Sequence, residues 1–366
     1  LVFIIGFFNK IKLPKYRWSR RILISVLFIL LSVSAMGYVT TQYPDNEKDS
    51  KSDQYLYSTL YNKVKAMDTF GFYSFEIRDF DLVVIEKKDI NEDIEKIRMY
   101  IEDNGYVQNT NSYTDMFKGK NIILVLGESL SPGVIDEELT PTLYMMKTEG
   151  ISFNSNYSPV YQSATADSEF ISLTSMIPSV SDQPIAFNYY ENSFPDALPN
   201  LLEKMGYTCN SFHAYKGDFY NRNILHEKYG FEKLYDWEDF DYSEDIHDDF
   251  VEAYNWIPDQ SLAKNMVTQT LENDSYPFFD FMISVTGHIP YVRERYELET
   301  RLWETFQIYG EPGEEYSEEV LCYFAAQKSL DKAMEELIRD LEEAGKMEDT
   351  VIILYGDHYP YGMSEK

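Results

Sequence analysis

The first forty residues are patterned differently from the rest of the chain. Ile22 to Val39 is an uncharged, mostly apolar run of 18 residues with three serines among them. That length is what a helix needs to cross the hydrocarbon layer of a bilayer, so the run predicts a transmembrane helix. A cleaved signal peptide, with small residues at Ser32 and Ser34, or a buried core helix are the competing readings. Residues 1–8, LVFIIGFF, read as the tail of an earlier apolar helix, and an N-terminally shortened membrane protein is expected. From Thr40 to Lys120 the chain is polar. Within it Ile94, Ile97, Tyr100 and Ile101 recur at helical spacing, which predicts one packing helix over Asn91 to Asp103 in a tether.

After Lys120 the pattern becomes regular, with short apolar runs, polar breaks and helix-compatible stretches in turn. Strands are predicted at Asn121 to Leu126, Thr208 to Phe212, Phe278 to Val285 and Thr350 to Tyr355. Helices are predicted at Asp167 to Ser175, Asp196 to Met205, Asn221 to Tyr229, Gln260 to Leu271 and Ser317 to Ala344. Alternation of this kind predicts an α/β fold with a largely parallel sheet flanked by helices. The expected organisation is a membrane segment over 1–43, a tether over 44–120 and an α/β domain over 121–366 that continues beyond Lys366.

Charge sharpens the membrane reading. Lys10, Lys12, Lys15, Arg17, Arg20 and Arg21 precede the apolar run, and the first acid is Asp45. Basic residues on that side keep it in the cytoplasm, so the body after Tyr43 is expected on the outer face of the cell membrane. The whole chain carries 62 acidic against 32 basic residues, a formal charge of -30. Such a surface repels a phosphate backbone, and no nucleic-acid partner is expected. Apolar content of 44% and aromatic content of 16% exclude a disordered acidic tail. Cys209 and Cys322 show no CxxC or Cys/His spacing, so both read as packing residues.

In an open α/β sheet, chemistry is sought beyond the carboxyl ends of the strands. Glu128 follows the first strand, His213 the second, His288 the Phe278 run, and Asp357-His358 the last. An adjacent Asp and His in a tight loop can direct a carboxylate and an imidazole to one cation, although an acid after a strand is often only a helix cap. Thr165, at the start of a predicted helix, is a candidate nucleophile or an N-cap. Taken by itself, Arg222 reads as the partner of a neighbouring acid such as Glu227 or Asp218, and His213 as a core histidine. His226 and His247 are read as surface residues. The acidic run from Glu232 to Asp249 reads as a solvated loop.

The segments NIILVLGES, TPTL at Thr140 to Leu143, SATADSEF at Ser163 to Phe170, FHAYKGDFYNR at Phe212 to Arg222, SVTGHIPY at Ser284 to Tyr291 and VIILYGDHY at Val351 to Tyr359 together resemble the lipoteichoic acid synthase family. These are phosphoglycerol transferases of the alkaline phosphatase and sulfatase superfamily. The resemblance implies Glu128, Thr165, Asp357 and His358 as ligands of one divalent metal, usually manganese, with magnesium or zinc as alternatives. It implies Thr165 as the nucleophile that forms a phospho-threonine. It further implies His213, Tyr220, Arg222 and His288 as substrate contacts, with a protonated His288 assisting the leaving group. The implied donor is phosphatidylglycerol, and the acceptor is a glycerol phosphate polymer or a glycolipid.

Two departures bear on the head group: Tyr220 stands where the family typically has Trp, and Tyr215 where an acid is expected. A hydrolase or phosphoethanolamine transferase of the same superfamily is the nearest alternative, and a non-catalytic surface binding protein the alternative of another class. Formylglycine chemistry is excluded, because Thr165 is followed by Asp167 and Glu169 rather than Pro and Arg.

Overall fold

The computed structural model describes residues 25–27, 53–60, 63–82, 90–105, 109–158, 164–178, 185–240, 256–273, 275–296 and 301–363. The expected membrane span lies outside the described residues except for the helical 25–27, as does His247. Among the described residues no helix is long and apolar enough to cross a membrane. The chain divides into two compact units, Leu1–Gly105 and Tyr106–Lys366.

In the first unit, α1 (Asp53–Thr59), α2 (Lys63–Phe70) and α3 (Phe72–Phe80) close on Leu56, Leu60, Ala66 and Phe75. Arg78 of α3 donates Nη2 to the Ser58 carbonyl at 2.6 Å and Nε to that of Tyr57 at 3.3 Å, satisfying carbonyls that the end of α1 leaves open. Helix α4 (Ile90–Asn104) forms where spacing predicts it, yet Ile94, Ile97, Tyr100 and Ile101 are all exposed. Periodicity dictates that these residues share a face; it does not supply a partner for that face.

The second unit is a three-layer sandwich around five parallel strands in the order β3-β2-β4-β1-β5. They are β1 (Asn121–Gly127), β2 (Thr208–His213), β3 (Lys233–Tyr235), β4 (Phe278–Ile283) and β5 (Thr350–Gly356). The flanking helices are α5 (Pro141–Glu149), α6 (Ala164–Thr174), α7 (Leu198–Glu203), α8 (Arg222–Tyr229), α9 (Asp259–Asn273), α10 (Arg301–Tyr309) and α11 (Glu318–Glu343). Successive residues of β1 face opposite layers. Ile123 and Val125 pack with Met266 of α9 and Met334 of α11, whereas Leu124 and Leu126 pack with Phe170 of α6 and Leu225 of α8. Both faces of β1 are covered, so Ile122 to Leu126 are apolar throughout instead of alternating. Truncating a fully buried ring such as Phe281 would cost about 3–5 kcal/mol.

The structure adjusts several expected boundaries. β3 has three residues, too few to carry a periodic signal, and is set by its pairing to β2 and by Tyr235, which stacks on Phe212 at 4.9 Å. β4 stops at Ile283, two residues early, because the Val285 N–H is taken by Asp259 Oδ1 at 2.7 Å instead of by a strand. Helix α6 begins at Ala164, so Thr165 lies inside its first turn. Cys209 and Cys322 are buried free thiols, as expected for packing residues. Because all strands run one way, their carboxyl ends share one edge, and the residues beyond them meet there.

Candidate active site

Three strand-end loops converge with almost no space between their backbones. A Cβ on Gly287 would lie 2.0 Å from the Glu128 carbonyl oxygen, and one on Gly356 would lie 2.2 Å from that of Leu130. Only glycine permits either approach. Ser129 turns the first loop with a left-handed φ of 55°. Helix α11 holds that loop from below, through Gln327 Nε2 to the Glu128 carbonyl at 3.1 Å and the Tyr323 hydroxyl to the Ser129 carbonyl at 2.8 Å.

The side chains on these loops form one buried cluster. One ligand-capable atom each from Glu128, Asp357 and His358 lies within 4.8 Å of the others. His358 Nε2 is 3.4 Å from Glu128 Oε1 and 3.2 Å from Asp357 Oδ2. The Thr165 hydroxyl donates to Glu128 Oε2 at 3.2 Å, bringing the first turn of α6 to the same place. Asp357 Oδ1 accepts the backbone N–H groups of Ser129 at 2.8 Å and His358 at 2.7 Å. The Tyr359 carbonyl, 2.9 Å from His358 Nδ1, can only accept, so Nδ1 carries the proton and Nε2 turns its lone pair toward the carboxylates.

Two observations show that this cluster fits a cation. Asp357 Oδ2 and His358 Nε2 are buried without a hydrogen-bond partner. Burial pushes the Glu128 carboxyl up to about 7 against the opposing bonds from Ser129 and Thr165. Asp357 is raised well above the usual carboxylate range by burial and then by the Glu128 charge. A divalent ion would supply the missing partner and reverse both shifts, and a mixed oxygen and nitrogen donor set suits manganese, magnesium or zinc.

A second buried group sits one helical turn from Thr165. Glu169, four residues along α6, accepts from Arg222 through Nε at 3.0 Å to Oε2 and Nη2 at 2.6 Å to Oε1. Its Oε2 also accepts from His226 Nε2 at 3.1 Å, and His226 Nδ1 accepts from the Ser211 hydroxyl at 2.9 Å. Arg222 Nη1 donates to His213 Nε2 at 3.0 Å. Burial alone would raise the Glu169 carboxyl, but the Arg222 charge and the His226 bond more than offset it and hold it at about 2. Burial lowers both His213 and His226, the former further because of Arg222, so both rings are neutral.

These facts correct two sequence readings. The partner of Arg222 is neither Glu227 nor Asp218 but Glu169, which occupies a forked edge of the guanidinium. His226 is not on the surface; it is 1% exposed, and its spacing four residues after Arg222 on α8 is the signal that could have revealed it.

Tyr220 and Asn221 both adopt left-handed conformations, φ 60° and 51°, in the sharp turn that delivers Arg222 to the start of α8. The Tyr220 ring lies 5.2 Å from the Arg222 guanidinium. His288 follows Gly287 and packs against Trp256 at 5.7 Å. Burial lowers its pKa and Arg295 adds to this, so the neutral ring, not a protonated one, is favoured. Its Nδ1 donates to the Ile289 carbonyl at 2.7 Å, leaving Nε2 as an acceptor. Sequence reasoning also missed Asp259, whose carboxylate accepts Val285 N at 2.7 Å and Thr286 N at 3.2 Å and so pins the loop that carries His288.

Comparison with known proteins gives the family. The family profile described as Sulfatase matches residues 120–365. Lipoteichoic acid synthase 2 of Bacillus subtilis is 27% identical over 281 residues, covering 75% of this chain and 40% of that protein. The lipoteichoic acid synthase of Staphylococcus saprophyticus is 29% identical over 264 residues, covering 69% of this chain and 38% of that protein. The chain therefore spans less than half the length of these two relatives. Among solved structures, the lipoteichoic acid synthase LtaP from Listeria monocytogenes superposes with a TM-score of 0.56 at 28% identity, covering 69% of this chain and 60% of that one. The chain belongs to the sulfatase family, within the alkaline phosphatase superfamily, and is lipoteichoic acid synthase-like.

Proposed function

We propose that this protein is a membrane-anchored transferase that moves glycerol phosphate from phosphatidylglycerol to an acceptor hydroxyl on the outer face of the cell membrane. The acceptor is a glycerol phosphate polymer or a glycolipid, as in lipoteichoic acid synthesis. The observation that carries the reading is the Thr165 hydroxyl bonded to Glu128 at the edge of a buried, cation-deficient cluster. The relatives named lipoteichoic acid synthase and the basic segment before the apolar run support the head group and the location.

In this reading Glu128, Thr165, Asp357 and His358 hold one divalent ion, manganese being the leading choice. Bound there, the ion would lower the effective pKa of the Thr165 hydroxyl and shield the charge of an incoming phosphate. Thr165 Oγ then forms a bond to phosphorus while the bond from phosphorus to the diacylglycerol oxygen breaks. The hydroxyl proton ends on the released diacylglycerol, and phosphoglycerol stays on Thr165. In the second half the acceptor hydroxyl attacks the same phosphorus, and its proton returns to Thr165. His288, neutral with a free Nε2, is the base that takes the acceptor's proton in transit. Arg222 directs its remaining Nη2 N–H at a phosphate oxygen, and Tyr220 and His213 border the head group.

The test is Thr165→Ala in the intact membrane protein, supplied with phosphatidylglycerol labelled in the glycerol headgroup and with manganese. Diacylglycerol release should fall to background; undiminished release ends the proposal. Labelled glycerol phosphate appearing free in water, rather than on an acceptor, identifies a hydrolase instead.

A further inference from the structure

Glu169 takes no part in the transfer chemistry above, yet it is the most heavily engaged carboxylate of the second buried group. Three groups converge on it: Arg222 Nε, Arg222 Nη2 and His226 Nε2. The arrangement is built from two helices with matching intervals, since Thr165 and Glu169 are one turn apart on α6 and Arg222 and His226 one turn apart on α8. The carboxylate thus links the turn that carries the nucleophile to the turn that carries the arginine. Behind it, Ser211 of β2 fixes the tautomer of His226, and His213 at the end of the same strand takes Arg222 Nη1.

From this geometry we propose that Glu169, backed by His226, is a positioning residue that orients the Arg222 guanidinium toward the phosphate at Thr165. The inference rests on the transferase reading. An arginine side chain free to rotate would spend most of its time misaligned, and ordering it would be charged against substrate binding. Held by a forked carboxylate on one edge and at Nη1 by His213 and the Phe219 carbonyl, it presents its remaining Nη2 donor in one orientation before substrate arrives. Glu169 neutralises the arginine, so Arg222 acts by directed hydrogen bonds more than by net charge. The effect therefore belongs to binding, and KM is the constant that should respond.

The experiment measures kcat and KM for diacylglycerol release by the intact membrane protein, with phosphatidylglycerol vesicles and manganese. Glu169→Gln keeps the shape and removes the charge-assisted fork, so KM should rise about tenfold while kcat stays within roughly twofold. In an Arg222→Lys background, where no fork can form, Glu169→Gln should add nothing further. Because Glu169→Gln perturbs a buried pair, a gentler route uses His226. His226→Leu should raise KM, and His226→Gln, whose amide can still donate to Glu169 and accept from Ser211, should restore most of it. Manganese affinity should be unchanged in every variant, which separates displacement of Arg222 from collapse of the site. An unchanged KM in Glu169→Gln, or the same increase with and without Arg222, overturns the positioning role and leaves the transferase reading intact. A wild-type protein that releases no diacylglycerol overturns that reading and this inference together.

Discussion

The two buried groups at this sheet edge each set a glutamate beside histidine, and their electrostatics are opposite. Around Glu169 every carboxylate oxygen has a cationic or imidazole partner, and the carboxyl is held at about 2. Around Glu128 two acids and a histidine face one another with Asp357 Oδ2 and His358 Nε2 unsatisfied, and the Glu128 carboxyl rises to about 7. Both groups are buried, so burial does not separate them. The difference is whether the protein supplies the positive charge itself. A completed pair carries its own countercharge, whereas an acid cluster lacking one can hold a cation.

The largest expected effect breaks the completed group. Arg222→Ala leaves the Glu169 carboxylate buried with only His226 beside it, and should cost about 3–5 kcal/mol of stability in urea unfolding. A loss below about 1 kcal/mol would mean that the pair is not a closed unit.

Next comes pH, where the two groups should respond with opposite signs. Glu169 is depressed from 4.5 to about 2, so its contribution is complete above pH 4.5 and is lost as pH falls through 2. Glu128 is raised from 4.5 to about 7, so its protonated form favours the fold below pH 4.5, and that contribution is lost as pH rises through 7. Metal-free protein should therefore lose stability between pH 4.5 and 7, by no more than roughly 3 kcal/mol at about 1.4 kcal/mol per unit. With manganese bound that decline should vanish, as thermal unfolding at each pH would record. A slope that persists at saturating metal would place the ion elsewhere.

Adding the ion is itself a measure of the incomplete group. At a hundredfold excess over its dissociation constant, manganese should stabilise the protein by about 2.7 kcal/mol, and the Asp357→Asn variant should gain much less. Equal gains would show that Asp357 is not a ligand.

The smallest effect sharpens the boundary between the groups. Asp259→Asn weakens the carboxylate bonds to Val285 and Thr286 by about 1 kcal/mol. Hydrogen exchange should quicken at residues 285–288 while the Glu169 group stays protected.

Much of this was legible in the chain. The strands at Asn121, Thr208, Phe278 and Thr350 follow from apolar runs bounded by breaks, and a parallel α/β sheet follows from their alternation with helices. Parallel strands put every carboxyl end on one edge, which is why Glu128, Asp357 and His358 were identifiable as neighbours before any coordinates. β3 was too short to read, and the apolar face of α4 shows that spacing names a face without naming what covers it.

What the amino-acid order determined, then, was which residues stand at strand ends and helix starts, because local periodicity and backbone chemistry act over a few residues. Tertiary structure alone decided the partners. Glu169 rather than Glu227 or Asp218 takes Arg222, His226 is buried against Glu169 and Ser211, and Gly287 and Gly356 exist to let backbones touch. Those outcomes depend on hydrogen-bond distances between segments far apart in the chain, and such distances are set only when both faces of the sheet have packed.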